Sequence, residues 1–277
     1  MSIITPAQLL DIQANQVCKV LFTSKDGSGP GKRPPLVLAH PNTYIPQSLF
    51  FDLEQTFSDS ESEISTTMVD VEAFERGAGN LGLCASDTVV IYDDYGNFYA
   101  SRVWFMFKTM GHKNVYVLDG GLHNWLIQQL PTVHTLIQAN KRTDYVASPS
   151  SEYRFVTKDT VKAAINKRHY AIIDARSHAR FTAEETETRP NLRSGHIPSS
   201  TNMHYASFFD SNSCFVEQAQ LSHLFNTYRS QALIFTCGSG VTACILAQAA
   251  DLVGISPLYV YDGSWSEWGS DNTLPIS

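Results

Sequence analysis

The sharpest chemical signal in the chain is a cysteine in a short stretch of small residues, Cys237-Gly238-Ser239-Gly240-Val241-Thr242. A strand-like apolar run, Ala232 to Phe235, precedes it, and a helix-forming run begins near Val241. Glycines on both sides of Ser239 permit backbone conformations that other residues resist. The loop can therefore curl so that its N–H groups form a nest for an anion, and the helix N-terminus adds partial positive charge. Because the stretch contains no charged side chain, we predict a reactive thiolate that is stabilised mainly by backbone dipoles.

The other cysteines have no such setting. Cys244 lies two helical turns after Cys237 and is interpreted as a core residue, and Cys18, Cys84 and Cys214 are interpreted as structural. Five cysteines with no CxxC pair predict neither a disulfide framework nor a zinc site. We therefore expect a reducing, cytoplasmic setting, with no metal and no cofactor.

The elements that must position this loop occur twice along the chain. The interval from Asp94 to Asp119-Gly120-Gly121 equals the interval from Cys237 to Asp262-Gly263-Ser264. Such self-similarity predicts two homologous domains, 1–138 and 153–277, joined by a polar segment that reads as an exposed linker. In this alignment Asp94 occupies the position of Cys237. Short apolar strands alternate with helical runs in each half, which predicts an α/β fold: a parallel sheet flanked by helices.

The Cys237 loop resembles the active-site loop of the tandem-domain rhodanese-like sulfurtransferases, specifically their 3-mercaptopyruvate sulfurtransferase branch. In the thiosulfate branch two basic residues typically follow the cysteine, where this chain has Gly238 and Ser239. The resemblance implies a rhodanese fold in each half and an acid in place of cysteine in the first. Further matching motifs are Ile173-Asp174-Ala175-Arg176, Gly195-His196-Ile197-Pro198, Ser101-Arg102-Val103-Trp104 and Tyr261-Asp262-Gly263-Ser264-Trp265-Ser266-Glu267-Trp268.

The resemblance also implies a reaction. Cys237 would take sulfur from 3-mercaptopyruvate as a persulfide, release pyruvate, and pass the sulfur to a thiol, a protein thiol or cyanide. The family's substrate-binding pair matches Arg180 and Arg189, and guanidinium groups suit a carboxylate. Ser239 would hydrogen-bond the substrate or pass a proton. The loop residues Gly238, Gly240, Val241 and Thr242 would contact the substrate.

One family feature is missing. In the relatives Ser239 is thought to join a proton relay with an acid, matched here by Glu54, and a His. The His position falls in Ser65-Thr66-Thr67-Met68, which contains none. Two other polar residues are expected to be structural: Arg176 in an ion pair with Asp174, and His196 closing a turn by hydrogen bonding.

Three alternatives stay open or are disfavoured at this point. Thiosulfate:cyanide sulfurtransferase activity is disfavoured by the uncharged loop, and a non-enzymatic sulfur-binding or regulatory module stays open. A phosphatase would need an arginine six residues after the cysteine, where Ala243 stands.

The net charge of −7 and the absence of long basic runs argue against nucleic-acid binding. No apolar stretch approaches the ~20 residues of a membrane span, and the N-terminus lacks the pattern of a signal peptide.

Overall fold

The structure is a computed structural model that describes residues 2–25, 31–187 and 189–277. The chain forms two compact units that are not contiguous in sequence. The first contains residues 1–60, 68–150 and 209–215, and the second contains 61–67, 151–208 and 216–277. Residues 209–215, from the second half of the sequence, thus belong to the first unit, and residues 61–67, from the first half, belong to the second.

The first unit is built on a five-stranded, all-parallel sheet with the order β1-β5-β4-β2-β3. Its central strand is almost wholly apolar and buried, as expected for a parallel sheet covered by helices. The strands are β1 (Ile3–Ile4), β2 (Cys18–Thr23), β3 (Ser48–Phe50), β4 (Thr88–Asp93) and β5 (Val115–Leu118). The helices are α1 (Pro6–Asn15), α2 (Pro35–Leu38), α3 (Val71–Asn80), α4 (Ala100–Thr109) and α5 (Gly121–Ile127).

The second unit repeats this architecture, with a five-stranded parallel sheet in the equivalent order β6-β10-β9-β7-β8. The predicted α/β fold is confirmed in both units. The strands are β6 (Tyr153–Val156), β7 (Tyr170–Asp174), β8 (Thr201–Asn202), β9 (Ala232–Thr236) and β10 (Leu258–Tyr261). The helices are α6 (Lys158–Ala164), α7 (His178–Phe181), α8 (Gln218–Leu224), α9 (Ala243–Leu252) and α10 (Ser264–Trp268), with 3-10 turns at Tyr205–Phe208 and Asn226–Tyr228.

The segment 139–152, expected to be an exposed linker, is largely exposed, but its residues up to 150 belong to the first unit. Tyr145 is buried, and its ring makes edge contacts with Phe74 and Phe107. Its hydroxyl lies 3.0 Å from His112 Nδ1. The polar composition of the segment suggested exposure, but one aromatic side chain is enough to anchor it because burying such a ring is strongly favourable.

The helix after the cysteine explains how the loop is held. α9 begins at Ala243, two residues later than the sequence suggested, because Gly240 adopts a left-handed φ of 76° and extends the turn. The side chains from Ala243 to Ala250 are all buried. A helix that is apolar on every side must lie in the interior. The loop 237–242 is therefore fixed between a buried strand, β9, and a buried helix.

Candidate active site

Cys237 is the first residue after β9, the central strand of the second sheet. It is only 2% exposed, while its neighbours Gly238 and Ser239 are half-buried. Its backbone N–H donates to Ser264 Oγ at 3.1 Å, and its carbonyl accepts from the Trp265 N–H at 3.0 Å. The start of α10 therefore anchors the cysteine on both sides.

The backbone of the loop offers open hydrogen-bond donors. Within the described part of the chain, the N–H groups of Gly238, Ser239, Val241 and Thr242 have no acceptor. Buried or half-buried N–H groups are rarely left unpaired unless a ligand or water completes them. This arrangement can stabilise a thiolate, or an anionic group attached to its sulfur.

Two arginines lie beside this loop, as the sequence predicted. A methyl group built on Gly238 would lie 3.7 Å from Arg180 Nη2 and 3.8 Å from Arg189 Nη2. Arg189 Nη1 also donates to the Gly238 carbonyl at 3.4 Å and to Ser266 Oγ at 2.7 Å. Ser266 Oγ in turn donates to the same carbonyl at 2.7 Å. Both guanidinium groups are therefore next to the loop that carries Cys237.

A single carboxylate, that of Glu187, holds both arginines. Glu187 Oε2 accepts from Arg180 Nη2 at 2.7 Å, and Oε1 accepts from Arg189 Nε at 3.0 Å. The Glu187 side chain is 5% exposed. Burial alone would raise the pKa of Glu187, but the hydrogen bonds from Arg189 and Arg180 lower it to about 2. Glu187 is thus ionised at every physiological pH, and two fixed cations face one fixed anion beside the loop.

Other residues predicted in this unit have structural roles. Arg176 is buried, and its Nη2 donates to Asp174 Oδ2 at 2.7 Å, which confirms the expected ion pair. His196 Nδ1 lies 2.9 Å from the Phe181 carbonyl, and its ring stacks on that of Phe181. Cys244 is completely buried, as predicted, and its thiol donates to the Gly240 carbonyl at 3.3 Å.

The corresponding loop of the first unit follows β4 and contains no thiol. Asp94 stands at the position of Cys237 and is paired with Arg33, at the edge of a cavity of about 360 Å³. The nest itself is filled by the preceding residue, Asp93, whose carboxylate is completely buried. Its oxygens accept from the N–H groups of Tyr95 (3.0 Å), Asn97 (2.9 Å), Tyr99 (2.6 Å) and Ala100 (2.8 Å).

The position equivalent to Asp93 in the second unit is Thr236. The two residues occupy the same register, since Asp93 pairs with Thr23 at the end of β2 and Thr236 pairs with Asp174 at the end of β7. Thr236 has no carboxylate, so it cannot accept hydrogen bonds from the backbone N–H groups of the second loop as Asp93 does in the first. Those N–H groups can therefore bind another anion. Burial raises the pKa of Asp93 to about 6, in spite of the four N–H donors. The first loop is thus closed by its own side chain, and the second is open.

The residues assigned to a proton relay by resemblance lie in different settings. Glu54 is paired with Lys25, whose Nζ lies 2.7 Å from Glu54 Oε1. The segment 61–67, which contains most of the region where the relay's His is missing, belongs to the second unit. There Thr66 Oγ1 donates to the Ser239 carbonyl at 3.2 Å.

Sequence reasoning missed the residues that hold the site together: Glu187, Ser264, Ser266 and Thr66. Glu187 was visible only as one of three glutamates near the arginines, and no pattern distinguished it. Ser264 and Ser266 lie in the Asp262-to-Trp268 motif, which was used as a sign of resemblance and not as part of the site.

The comparison with known proteins agrees with this geometry. The model of the Rhodanese-like domain matches residues 39–128 and 157–271. The chain belongs to the rhodanese-like sulfurtransferases. The presence of one match in each half, and of Cys237 in the second, fits the tandem arrangement inferred from the internal repeat.

Several relatives are similar over most of the chain. It is 37% identical to human 3-mercaptopyruvate sulfurtransferase, over 81% of this chain and 76% of that protein. It is 36% identical to thiosulfate/3-mercaptopyruvate sulfurtransferase 1, mitochondrial, of Arabidopsis thaliana, over 84% of this chain and 67% of that protein. The crystal structure of the Escherichia coli 3-mercaptopyruvate sulfurtransferase SseA superposes with a TM-score of 0.81 and 26% identity, covering 96% of this chain and 99% of that one.

Two kinds of feature are absent from residues 2–25, 31–187 and 189–277. No cluster of three or more His, Cys, Asp or Glu side chains is arranged to bind a metal ion there. No helix in this part of the chain is long and apolar enough to cross a membrane.

Proposed function

We propose that the protein transfers sulfane sulfur from 3-mercaptopyruvate to a thiol or cyanide acceptor through a persulfide on Cys237. The second domain, 153–277, would be catalytic, and the first, 1–138, non-catalytic because Asp94 replaces the cysteine and Asp93 fills the nest. The observation that supports 3-mercaptopyruvate as the donor is the net charge of the side chains beside the Cys237 loop. Arg180, Arg189 and Glu187 together leave one net positive charge, which matches the single carboxylate of 3-mercaptopyruvate better than the two charges of thiosulfate.

The proposed reaction has two steps, sulfur transfer to Cys237 and sulfur transfer to the acceptor. The Cys237 thiolate attacks the sulfur of 3-mercaptopyruvate, an S–S bond forms, and the C–S bond breaks. The electron pair of that bond passes to the carbon as the enolate of pyruvate, which then takes up a proton. An acceptor thiolate, free or on a protein, attacks the outer sulfur next and regenerates the Cys237 thiolate.

The other site residues have defined tasks in this scheme. Arg180 and Arg189 bind the carboxylate in the planar, two-pronged geometry that guanidinium groups favour. The N–H groups of the loop, Gly238 to Thr242, stabilise the thiolate before transfer and the persulfide after it. The Ser239 hydroxyl is placed in the same loop and would donate the proton that the enolate requires, or hydrogen-bond its oxygen.

The proposal is tested by a side-by-side turnover assay of the wild-type protein. One arm supplies 3-mercaptopyruvate and a thiol acceptor and measures pyruvate, and the other supplies thiosulfate and cyanide and measures thiocyanate. We expect a higher kcat/KM with 3-mercaptopyruvate. Preference for thiosulfate would support the second candidate donor, for which the two-donor name of the Arabidopsis relative is the specific indication. Turnover of neither donor would favour a non-enzymatic sulfur-binding module.

A second test concerns the anchor of Cys237. Ser264 is completely buried, accepts from the Cys237 N–H and donates to the Tyr261 carbonyl at 2.8 Å. In Ser264→Ala the Cys237 N–H loses its acceptor, so we expect unfolding free energy to fall by about 1–3 kcal/mol. Because the cysteine is then less well oriented, sulfur loading should slow roughly tenfold.

The measurements are urea unfolding and single-turnover loading followed by mass spectrometry. Ser270→Ala is the matched control, since Ser270 is an exposed serine that donates only to the Glu267 carbonyl. If Ser264→Ala loads sulfur as fast as wild type, the Ser264 hydrogen bond does not orient the nucleophile.

For the compartment, we propose the cytoplasm, on the ground that all five cysteines are unpaired. The Arabidopsis relative is named as mitochondrial. Imaging of the fluorescently tagged full chain distinguishes the two compartments.

A further inference from the structure

Thr66 is an unusual residue in the second unit. It is 4% exposed and has a φ of 69°, a left-handed conformation that β-branched residues rarely adopt. Strained backbone of this kind persists only where the surroundings enforce it, and it is concentrated at functional sites. Its hydroxyl hydrogen has two carbonyl acceptors in reach, that of its neighbour Ser65 and, at 3.2 Å, that of Ser239 in the Cys237 loop.

The segment around Thr66 is internally braced. We call residues 61–67 the strap, because they leave the first half of the sequence to pack within the second unit. Thr67 Oγ1 lies 2.8 Å from Ser62 Oγ and donates to the Ile64 carbonyl at 2.8 Å. Ser62 Oγ also accepts from the Ile64 N–H at 3.1 Å. These bonds stay inside the strap, so the hydroxyl of Thr66 is presented to the loop by a preformed turn.

The loop needs such a contact because its own backbone is soft. Ser239 lies between two glycines, which impose little conformational preference. Its neighbours are held from other elements: the Gly238 carbonyl by Ser266, and the Gly240 carbonyl by the Cys244 thiol. Thr66 supplies the corresponding bond for the Ser239 carbonyl. A peptide group is planar, so fixing this carbonyl also fixes the direction of the Gly240 N–H on the same plane.

We propose that Thr66 is a positioning residue that sets the Ser239–Gly240 peptide, and with it the donors around Cys237, through its hydroxyl. This inference rests on the proposed function, since it concerns the same loop. It predicts that loss of the hydroxyl slows sulfur transfer to Cys237 with little change in KM, because neither Arg180 nor Arg189 hydrogen-bonds to Thr66.

The test compares three variants with wild type. Thr66→Val removes the hydroxyl and keeps the branched shape, Thr66→Ser restores the hydroxyl, and Thr67→Val removes a hydroxyl that bonds only within the strap. Two rates are measured for each: single-turnover sulfur loading from 3-mercaptopyruvate, and alkylation of Cys237 by iodoacetamide, located by peptide mass spectrometry. We expect Thr66→Val to slow loading roughly tenfold and to change the alkylation rate, with Thr66→Ser and Thr67→Val within about twofold of wild type.

Two outcomes would overturn the inference: both rates in Thr66→Val equal to those of wild type, or equal slowing in Thr67→Val, which would indicate only a weakened strap. Circular dichroism checks folding, and Thr66→Ala replaces Thr66→Val if the latter does not fold. If wild type itself takes no sulfur from 3-mercaptopyruvate, the proposed function fails. The alkylation rates then still decide the role of Thr66.

Discussion

Cys237→Ser is expected to abolish sulfur transfer, lowering kcat by roughly a thousandfold or more, because removal of the nucleophile from a covalent mechanism leaves no alternative route. A serine hydroxyl at neutral pH is a far weaker nucleophile than a thiolate. After incubation of wild type with 3-mercaptopyruvate, mass spectrometry should show one added sulfur on the peptide that contains Cys237, and none in the variant.

The control is Cys84→Ser, which changes a half-buried free cysteine of the first unit. It should load sulfur like wild type. Added sulfur on Cys84 or another cysteine, or continued turnover by Cys237→Ser, would refute the assignment of Cys237 as the sulfur carrier.

Arg180→Ala should raise KM for 3-mercaptopyruvate by about 10- to 100-fold, the effect of losing a charge-assisted hydrogen bond to a carboxylate. The change also leaves Glu187 opposed by Arg189 alone, so the net charge beside the loop falls from one positive charge to zero. KM for thiosulfate should rise less, because thiosulfate has no planar carboxylate for the guanidinium group to bind.

Steady-state kinetics with both donors measure this difference. Arg154→Ala, at an exposed arginine on β6, controls for the loss of one positive charge from the same unit. If KM for the two donors rises by the same factor, Arg180 contributes a general electrostatic attraction and does not select the donor.

The two halves of the repeat place different residues at the loop that follows the central strand. Both loops follow the central strand of an equivalent sheet and lead into a largely buried helix. In the first, the carboxylate of Asp93 already accepts from four backbone N–H groups, which are therefore not available to an external anion. In the second, Thr236 precedes Cys237 and donors of the loop stay open. We therefore expect sulfur transfer to require both the cysteine and a loop that is not filled by an internal anion.

Much of this molecule could be predicted from the sequence because the relevant signals are local. Alternation of apolar strands and helical runs determines a parallel α/β sheet. A cysteine followed by Gly238-Ser239-Gly240 at a strand-to-helix junction predicts a nucleophile, and equal spacing of motifs reveals the repeat. The same local reading was incomplete for residues 139–152, most of which are exposed as their polar composition suggests, because the buried ring of Tyr145 attaches the segment to the first unit.

By itself, then, the sequence determined the fold class and the duplication and marked Cys237 as the candidate nucleophile, while the resemblance to a known family pointed to Arg180 and Arg189. Only the tertiary structure decided which glutamate holds both arginines, which side chain fills the first loop, and that Thr66 contacts the Ser239 carbonyl. The physical reason is the sequence separation over which each interaction acts. Periodicity and glycine conformations act over a few neighbouring residues, whereas these hydrogen bonds depend on the angles and distances at which separate side chains and loops meet. Thr66 and Ser239 are separated by 173 positions in the chain, and no pattern within either segment specifies that they meet.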